Sequence, residues 1–241
     1  MELERAESIT ATAVAAFWKG VRDCIPTLLG YLSLGFATGV VGKTAGLSTG
    51  EIVLMSVFLY AGSAQFIVAG MVAASTPAVS IIVTVFFVNI RHLLLSAALA
   101  PFFRKYSPWT NMLIGSQLTD ETFGVAINRL TAHMKHSDKW MFGMNITAHL
   151  NWVAANLAGA LFGAAIPDPD KYGLSYALPA MFVGLLVLQV ADRKQWKADA
   201  SIIISAIFIF IMAFLFVPGS IAVMFAATSA ACIGVVAEKW K

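Results

Sequence analysis

Residues 78–100 read AVSIIVTVFFVNIRHLLLSAALA, an apolar run with Asn89, Arg91 and His92 near its middle. A bilayer core about 30 Å thick is crossed by about 20 residues of helix. Backbone groups that meet no water must bond within their own segment, so such a stretch crosses as a helix. Six further stretches meet the same standard: 25–43, 51–74, 140–166, 174–191, 199–216 and 218–237. The gaps between them hold the expected punctuation, among it Gly46–Gly50, Ser75–Pro77, Pro167–Asp170 and Pro218–Gly219. Two gaps are so short that 51–74/78–100 and 199–216/218–237 are predicted to be antiparallel hairpins.

Composition agrees. Apolar residues make up 59% of the 241 and charged ones 12%, about half the usual share of a soluble domain; mean hydropathy is +0.79. The predicted fold is all-α, a polytopic helix bundle forming a single membrane domain over 1–241. Residues 1–22 serve as an interfacial lead-in, with Trp18 and Lys19 at the membrane boundary. Three acids among the first seven residues speak against a cleaved signal peptide. The basic residues sit in short connections, which argues against nucleic-acid binding. Cys24 and Cys232 lie far apart within or beside apolar segments and form no disulfide or metal pattern, so both are expected as buried small residues.

An eighth stretch, Thr110 to Leu130, has helical length but carries Asp120 and Glu121 at its centre. It either spans or forms a re-entrant or interfacial piece. Counting basic residues does not decide, because seven spans with the N-terminus outside and eight with it inside both put 11 Lys and Arg residues inside and four outside; both place the C-terminus in the cytoplasm. Depth favours eight. In a hairpin turning near Lys105, Arg91 and Asp120 both lie about 21–22 Å from the turn, so each charge offsets the other's burial. The stretches after Gly39 and after Gly159 also share a loose pattern of glycines, a polar loop and a terminal Gln, of the kind internal repeats leave in transporters.

The polar residues inside apolar segments are the candidate site. A central arginine costs about 2.5–3.5 kcal/mol unless it pairs or meets water, so Arg91, with Asn89 and His92 beside it, binds a carboxylate, balances a titrating acid, or only locks helices together. Asp120 and Glu121 are about 100° apart on a helix: one can pair with Arg91 while the other lines a path, with Gln117 and Thr119 nearby. Tyr60, Gly62, Ser63 and Gln65 form a small and polar interruption that permits unwinding or close packing. His149 is a relay or an interhelical hydrogen bonder. Trp109, Trp140, Trp196 and Trp240 sit at predicted segment ends, as interfacial anchors do. No phosphate-cradling loop, zinc-protease motif or nucleophile elbow occurs, so no cofactor or metal is expected.

Four stretches in register, YAGSAQF (60–66), Arg91-His92, LTDETF (118–123) and LPAMF (178–182), resemble the AzlC family, the large subunits of bacterial branched-chain amino acid exporters. The likeness covers nearly the whole chain. It implies a secondary transporter in the bacterial inner membrane, exporting valine, leucine, isoleucine or methionine with a small multi-span partner subunit. Asn89 stands where some family members carry an acid, which moves the counter-ion role to Asp120 or Glu121. Two other classes compete with a gradient-driven transporter: a non-transporting assembly subunit, and an intramembrane enzyme using Asp120, Glu121 and His92 as acid–base groups. Phe86 or Phe87 would line a side-chain pocket in the transporter.

Overall fold

The computed structural model describes residues 2–130, 134–163 and 195–217, with side chains from Thr12 on, and scattered positions between 165 and 234. The chain divides into two compact units, residues 1–178 and 179–241. Ordered structure among the described residues is helical, as expected.

In the first unit, α1 (Glu2–Thr44) runs unbroken through the expected lead-in and past Pro26. After a short turn come α2 (Thr49–Phe58) and α3 (Gly62–Ala73), then α4 (Ala78–Asn89) and α5 (Arg91–Phe103). Next are α6 (Pro108–Ser116), α7 (Asp120–Arg129) and α8 (Ser137–Gly163). The second unit contributes α9 (Trp196–Phe214). Most of the segments 174–191 and 218–237, together with His133, Cys232, Trp240 and most of the LPAMF stretch, lie outside the described residues. Thr12–Thr44, Ala78–Phe103 and Trp196–Phe214 are long and apolar enough to cross a membrane. Ile90 joins α4 to α5 with right-handed helical backbone, and its N–H still bonds back to Phe86 O at 3.1 Å.

Helices α1 and α8 form the central seam, and they run parallel. Thr12 meets His136, Leu28 O accepts from Asn151, and Gly163 packs on Val40, so the contacts advance together along both helices. The approach is backbone to backbone. A Cβ on Gly20 would strike the Trp140 carbonyl, and one on Gly143 the Phe17 carbonyl; Gly39 and Gly159 are blocked in the same reciprocal way by Asn156 and Phe36. Small residues allow this dense van der Waals contact where no hydrophobic effect drives helices together. Gly39 and Gly159, the starting points of the two similar stretches in the sequence, thus face each other.

The direction of the remaining helices follows from their ends. Ile52 lies against Gly42, so α2 starts at the far face, where α1 ends. By Ser56 and Tyr60 it has reached His149 at mid-depth. Helix α3 then pairs antiparallel with α4, with Ser63 bonded to Arg91 and the turn at residues 74–77. The α4–α5 helix ends near the start of α8, where Lys105 donates to Met134 O (2.7 Å) and Tyr106 meets Ser137. Hence α4 starts at the far face, and α3 climbs back to the face from which α2 descended. The second pair mirrors this: α6 rises from Tyr106–Ser137 to Thr119 beside Tyr31, and α7 returns to place Arg129 at 3.5 Å from Asp23.

Two half-length hairpins therefore enter from opposite faces. This corrects the sequence expectation that 51–74 and 110–130 each cross. Tyr60 (φ +36°) and extended Ala61 interrupt the first helix ladder, and Gln117 to extended Thr119 interrupt the second. Both hairpins open on a serine N-cap: Ser48 reciprocates with Glu51, and Ser107 accepts from Thr110 N–H. The described crossings of the first unit are α1, α4–α5 and α8, each flanking hairpin being inverted relative to the other.

Candidate functional site

The two hairpin tips meet at mid-depth around Tyr31 of α1, which is 2% exposed. Its hydroxyl is bonded to the Thr119 hydroxyl. Tyr60 places its hydroxyl next to that of Tyr31, though without a hydrogen bond of good geometry. The Tyr60 ring stacks on His149 with centroids 4.1 Å apart, and His149 Nε2 lies 3.2 Å from the Ser56 carbonyl. Polar groups of both tips thus gather beside Tyr31 of α1 and His149 of α8.

Arg91 joins the tips a second time. Its Nη2 donates to Ser63 Oγ at 2.7 Å and lies 2.9 Å from Asp120 Oδ2. This is the ion pair that matched depth predicts. It forms because α6 ends at the level of Arg91, so Asp120 opens α7 there instead of lying midway along a crossing helix. The side chains of Arg91 and Asp120 are 27% and 21% exposed, so the pair is partly buried and not sealed in the core.

The remaining expected residues fall as follows. Gly62 opens α3, and a Cβ there would come within 2.9 Å of Trp152 Cη2. Gln65, fully buried, reaches Ser56 Oγ with its amide nitrogen at 3.5 Å, while Oε1 has no hydrogen-bond partner. Asn89 ends α4 with Oδ1 buried and unpartnered, and His92 is half-buried in the first turn of α5. All nine expected residues lie on the first hairpin, at the α4–α5 junction or in the first turn of α7. Phe86 and Phe87 do not join them; they are exposed on the outside of α4. Trp140 is no interfacial anchor: it is fully buried and donates from Nε1 to Asp23 at 3.0 Å.

Sequence reasoning missed Tyr31 and Trp152. Both lie well inside apolar runs, away from the interfaces where such rings usually sit, and that misplacement was the available signal. Among the described residues, no group of three or more His, Cys, Asp or Glu gathers to hold a metal. A cavity of about 300 Å³ also lies between α5 and α6, lined by Leu99, Phe103, Asn111, Ile114 and Leu118, with Ala97 and Ala100 on its exposed rim.

The two helix starts at mid-depth differ in character. On α7, Thr119 caps the Thr122 N–H, and Asp120 and Glu121 add negative charge. On α3, Ala61 provides no side-chain cap, and no acid lies in the first turn. Helix N-termini attract negative charge through free N–H groups and the helix dipole. Discontinuous helices that meet at the membrane midplane supply such ends to solutes in transporters.

The family described as AzlC protein matches residues 26–166. The chain is 28% identical to the inner membrane protein YgaZ of Escherichia coli over 198 residues, 80% of this chain and 81% of that one. It is 29% identical to a membrane protein of Archaeoglobus fulgidus, covering 74% and 78% of the two chains. It is 28% identical to the branched-chain amino acid transport protein AzlC of Bacillus subtilis, covering 76% and 72%. No solved structure matches.

Proposed function

The chain belongs to the AzlC family, and we propose that it is the translocating subunit of a secondary transporter for branched-chain or similar apolar amino acids such as methionine. It is an all-helical membrane protein of a transport-associated family and not an enzyme. One observation carries the proposal: two re-entrant hairpins from opposite faces bring broken helix ends, the Arg91–Asp120 pair and Tyr31 together at mid-depth. Irregular backbone at that depth is tolerated only inside protein or beside a water-filled path. The transport name of the Bacillus relative supports the choice of substrate.

In this reading the protein exports its substrate across the bacterial cytoplasmic membrane, driven by a proton or potential gradient, with a small multi-span partner subunit. Tyr60, Gly62, Ser63, Gln65, Asn89, Arg91, His92, Asp120 and Glu121 form the binding and coupling site. The face that bears Lys19, Arg22, Arg104, Lys105, Arg129, Lys135 and Lys139 is cytoplasmic by the positive-inside rule, against Lys43 opposite. Re-entry of both hairpins moves Arg104 and Lys105 to this basic face, which strengthens the assignment. By the same rule the C-terminus, with Lys239 and Lys241, is taken as cytoplasmic.

Labelled valine and leucine flux into proteoliposomes, with and without an imposed pH gradient, tests the proposal. Gradient-stimulated flux that requires this chain is expected. Absence of flux from the chain, both alone and with its co-purifying subunit, overturns it.

A further inference from the structure

We infer that the cavity between α5 and α6 receives the apolar side chain of the transported amino acid, with Gly115 setting its width and Asn111 its usable length. The inference rests on the transport reading and adds to it the place where the substrate's side chain lies. Both walls of the cavity run directly into the Arg91–Asp120 pair. Helix α5 opens with Arg91, and Ser96, where the cavity begins on that helix, follows about 7–8 Å of helical rise later. On the other wall Leu118 lines the cavity just before Thr119 and Asp120 open α7. An amino acid whose charged groups meet the pair at mid-depth therefore has the cavity beside it, one to two helical turns nearer the basic face. The cavity takes the role that the sequence expectation gave to Phe86 or Phe87, which are exposed on the outside of α4.

The lining suits a hydrocarbon. Leu99, Phe103, Ile114 and Leu118 are all buried, and a space of about 300 Å³ lies at the lower end of the range for small-molecule sites. It runs from Ser96 to Phe103 on one helix and from Asn111 to Leu118 on the other, about 10 Å along each. The end nearest the ion pair is narrow. A Cβ on Gly115 would lie 3.5 Å from Ser96 Oγ, so the methyl group that glycine lacks would fill the gap between the two helices there. The other end, toward the basic face, carries Asn111 Oδ1, a buried acceptor with no hydrogen-bond partner among the described residues. Hydrocarbon pressed against such a group keeps it from any donor, which costs free energy, so the usable apolar length ends there. The side chains of valine, leucine and methionine are shorter than this run and stop before it.

The test uses the full chain in lipid nanodiscs with any co-purifying subunit, and displaces labelled leucine with free alanine, valine, leucine, methionine and 2-aminooctanoate. The wild-type chain is expected to prefer leucine and methionine to free alanine, by about fourfold for each methylene buried. In Gly115→Ala the new methyl group meets Ser96 at ordinary contact distance, so the variant is expected to fold. It should weaken leucine and methionine about tenfold and spare free alanine. Asn111→Leu removes the polar end and should strengthen 2-aminooctanoate about tenfold relative to leucine, a gain that misfolding cannot produce. Unchanged or uniformly lowered affinities in Gly115→Ala, or no gain in Asn111→Leu, overturn the side-chain pocket and leave the transport reading standing. A change confined to co-purifying phospholipid does the same, since the cavity, open past exposed Ala97 and Ala100, would then seat an acyl chain. Failure of the wild-type chain to bind leucine, valine or methionine removes the transport reading, and the pocket with it.

Discussion

The Arg91 guanidinium is divided between a hydroxyl on one hairpin and a carboxylate on the other, so its loss would be felt at both tips. Asp120→Asn removes the carboxylate 2.9 Å from a partly buried cation. A loss of about 1–3 kcal/mol is expected, between the values for exposed and fully buried pairs, read as lowered thermal stability in detergent. The double variant Arg91→Gln with Asp120→Asn should recover part of that loss. Strict additivity in this cycle would mean that the pair does not couple. Glu121 neighbours Asp120 on a different face of α7, and we propose it as the group that exchanges the proton. Glu121→Gln should retain exchange of labelled leucine at saturating substrate and should lose stimulation by a pH gradient. Unchanged gradient-driven flux in a well-assembled variant removes that assignment.

Among elements, the α1–α8 seam is the least forgiving contact, because its glycines face backbone that cannot move aside. Gly159→Ala drives a methyl group into the Phe36 carbonyl; overpacking costs about 1–3 kcal/mol even where side chains can shift. The expected result is a several-fold lower yield of monodisperse protein by size-exclusion chromatography. Gly30, on the same α1, has nothing within 4 Å of its Cβ position. Gly30→Ala should therefore leave yield unchanged or raise it, as alanine is the better helix former by about 1 kcal/mol. Similar losses for both variants would show that helix propensity, and not the seam, sets the outcome.

For the whole molecule, re-entry and crossing make opposite predictions about which loops share a face. With both hairpins re-entrant, residues 45–48 and 74–77 lie together on one side, and residues 104–107 and 134–136 on the other. Were both segments to cross, these neighbours would alternate. Single cysteines at Gly46, Ser75, Lys105 and Lys135, with the native cysteines replaced, separate the two. Membrane-impermeant reagent applied to intact cells should label the first two and spare the last two. Labelling of Gly46 and Lys105 positions, with Ser75 and Lys135 protected, would restore the crossing arrangement.

The sequence by itself determined that this is a helical membrane protein, since apolar length and sparse charge admit little else. It also paired Arg91 with Asp120, because two opposite charges at equal distance from one turn solve the same burial problem. It brought Tyr60 to Gln65 forward as a stretch open to unwinding or to close packing, through small and polar residues in an apolar run. Only the tertiary structure decided that the 51–74 and 110–130 segments turn back. Apolar length shows that a helix can cross, not that it does, and Leu59, Tyr60 and Ala61 contain nothing that forbids a helix. The decision rests on partners distant in the chain. His149 stacks on Tyr60, Arg91 holds Ser63, and Tyr31 holds Thr119. Those contacts exist only once α1, α4–α5 and α8 have packed, which is why Tyr31 and Trp152 could not be recognised as part of the site before the fold was known.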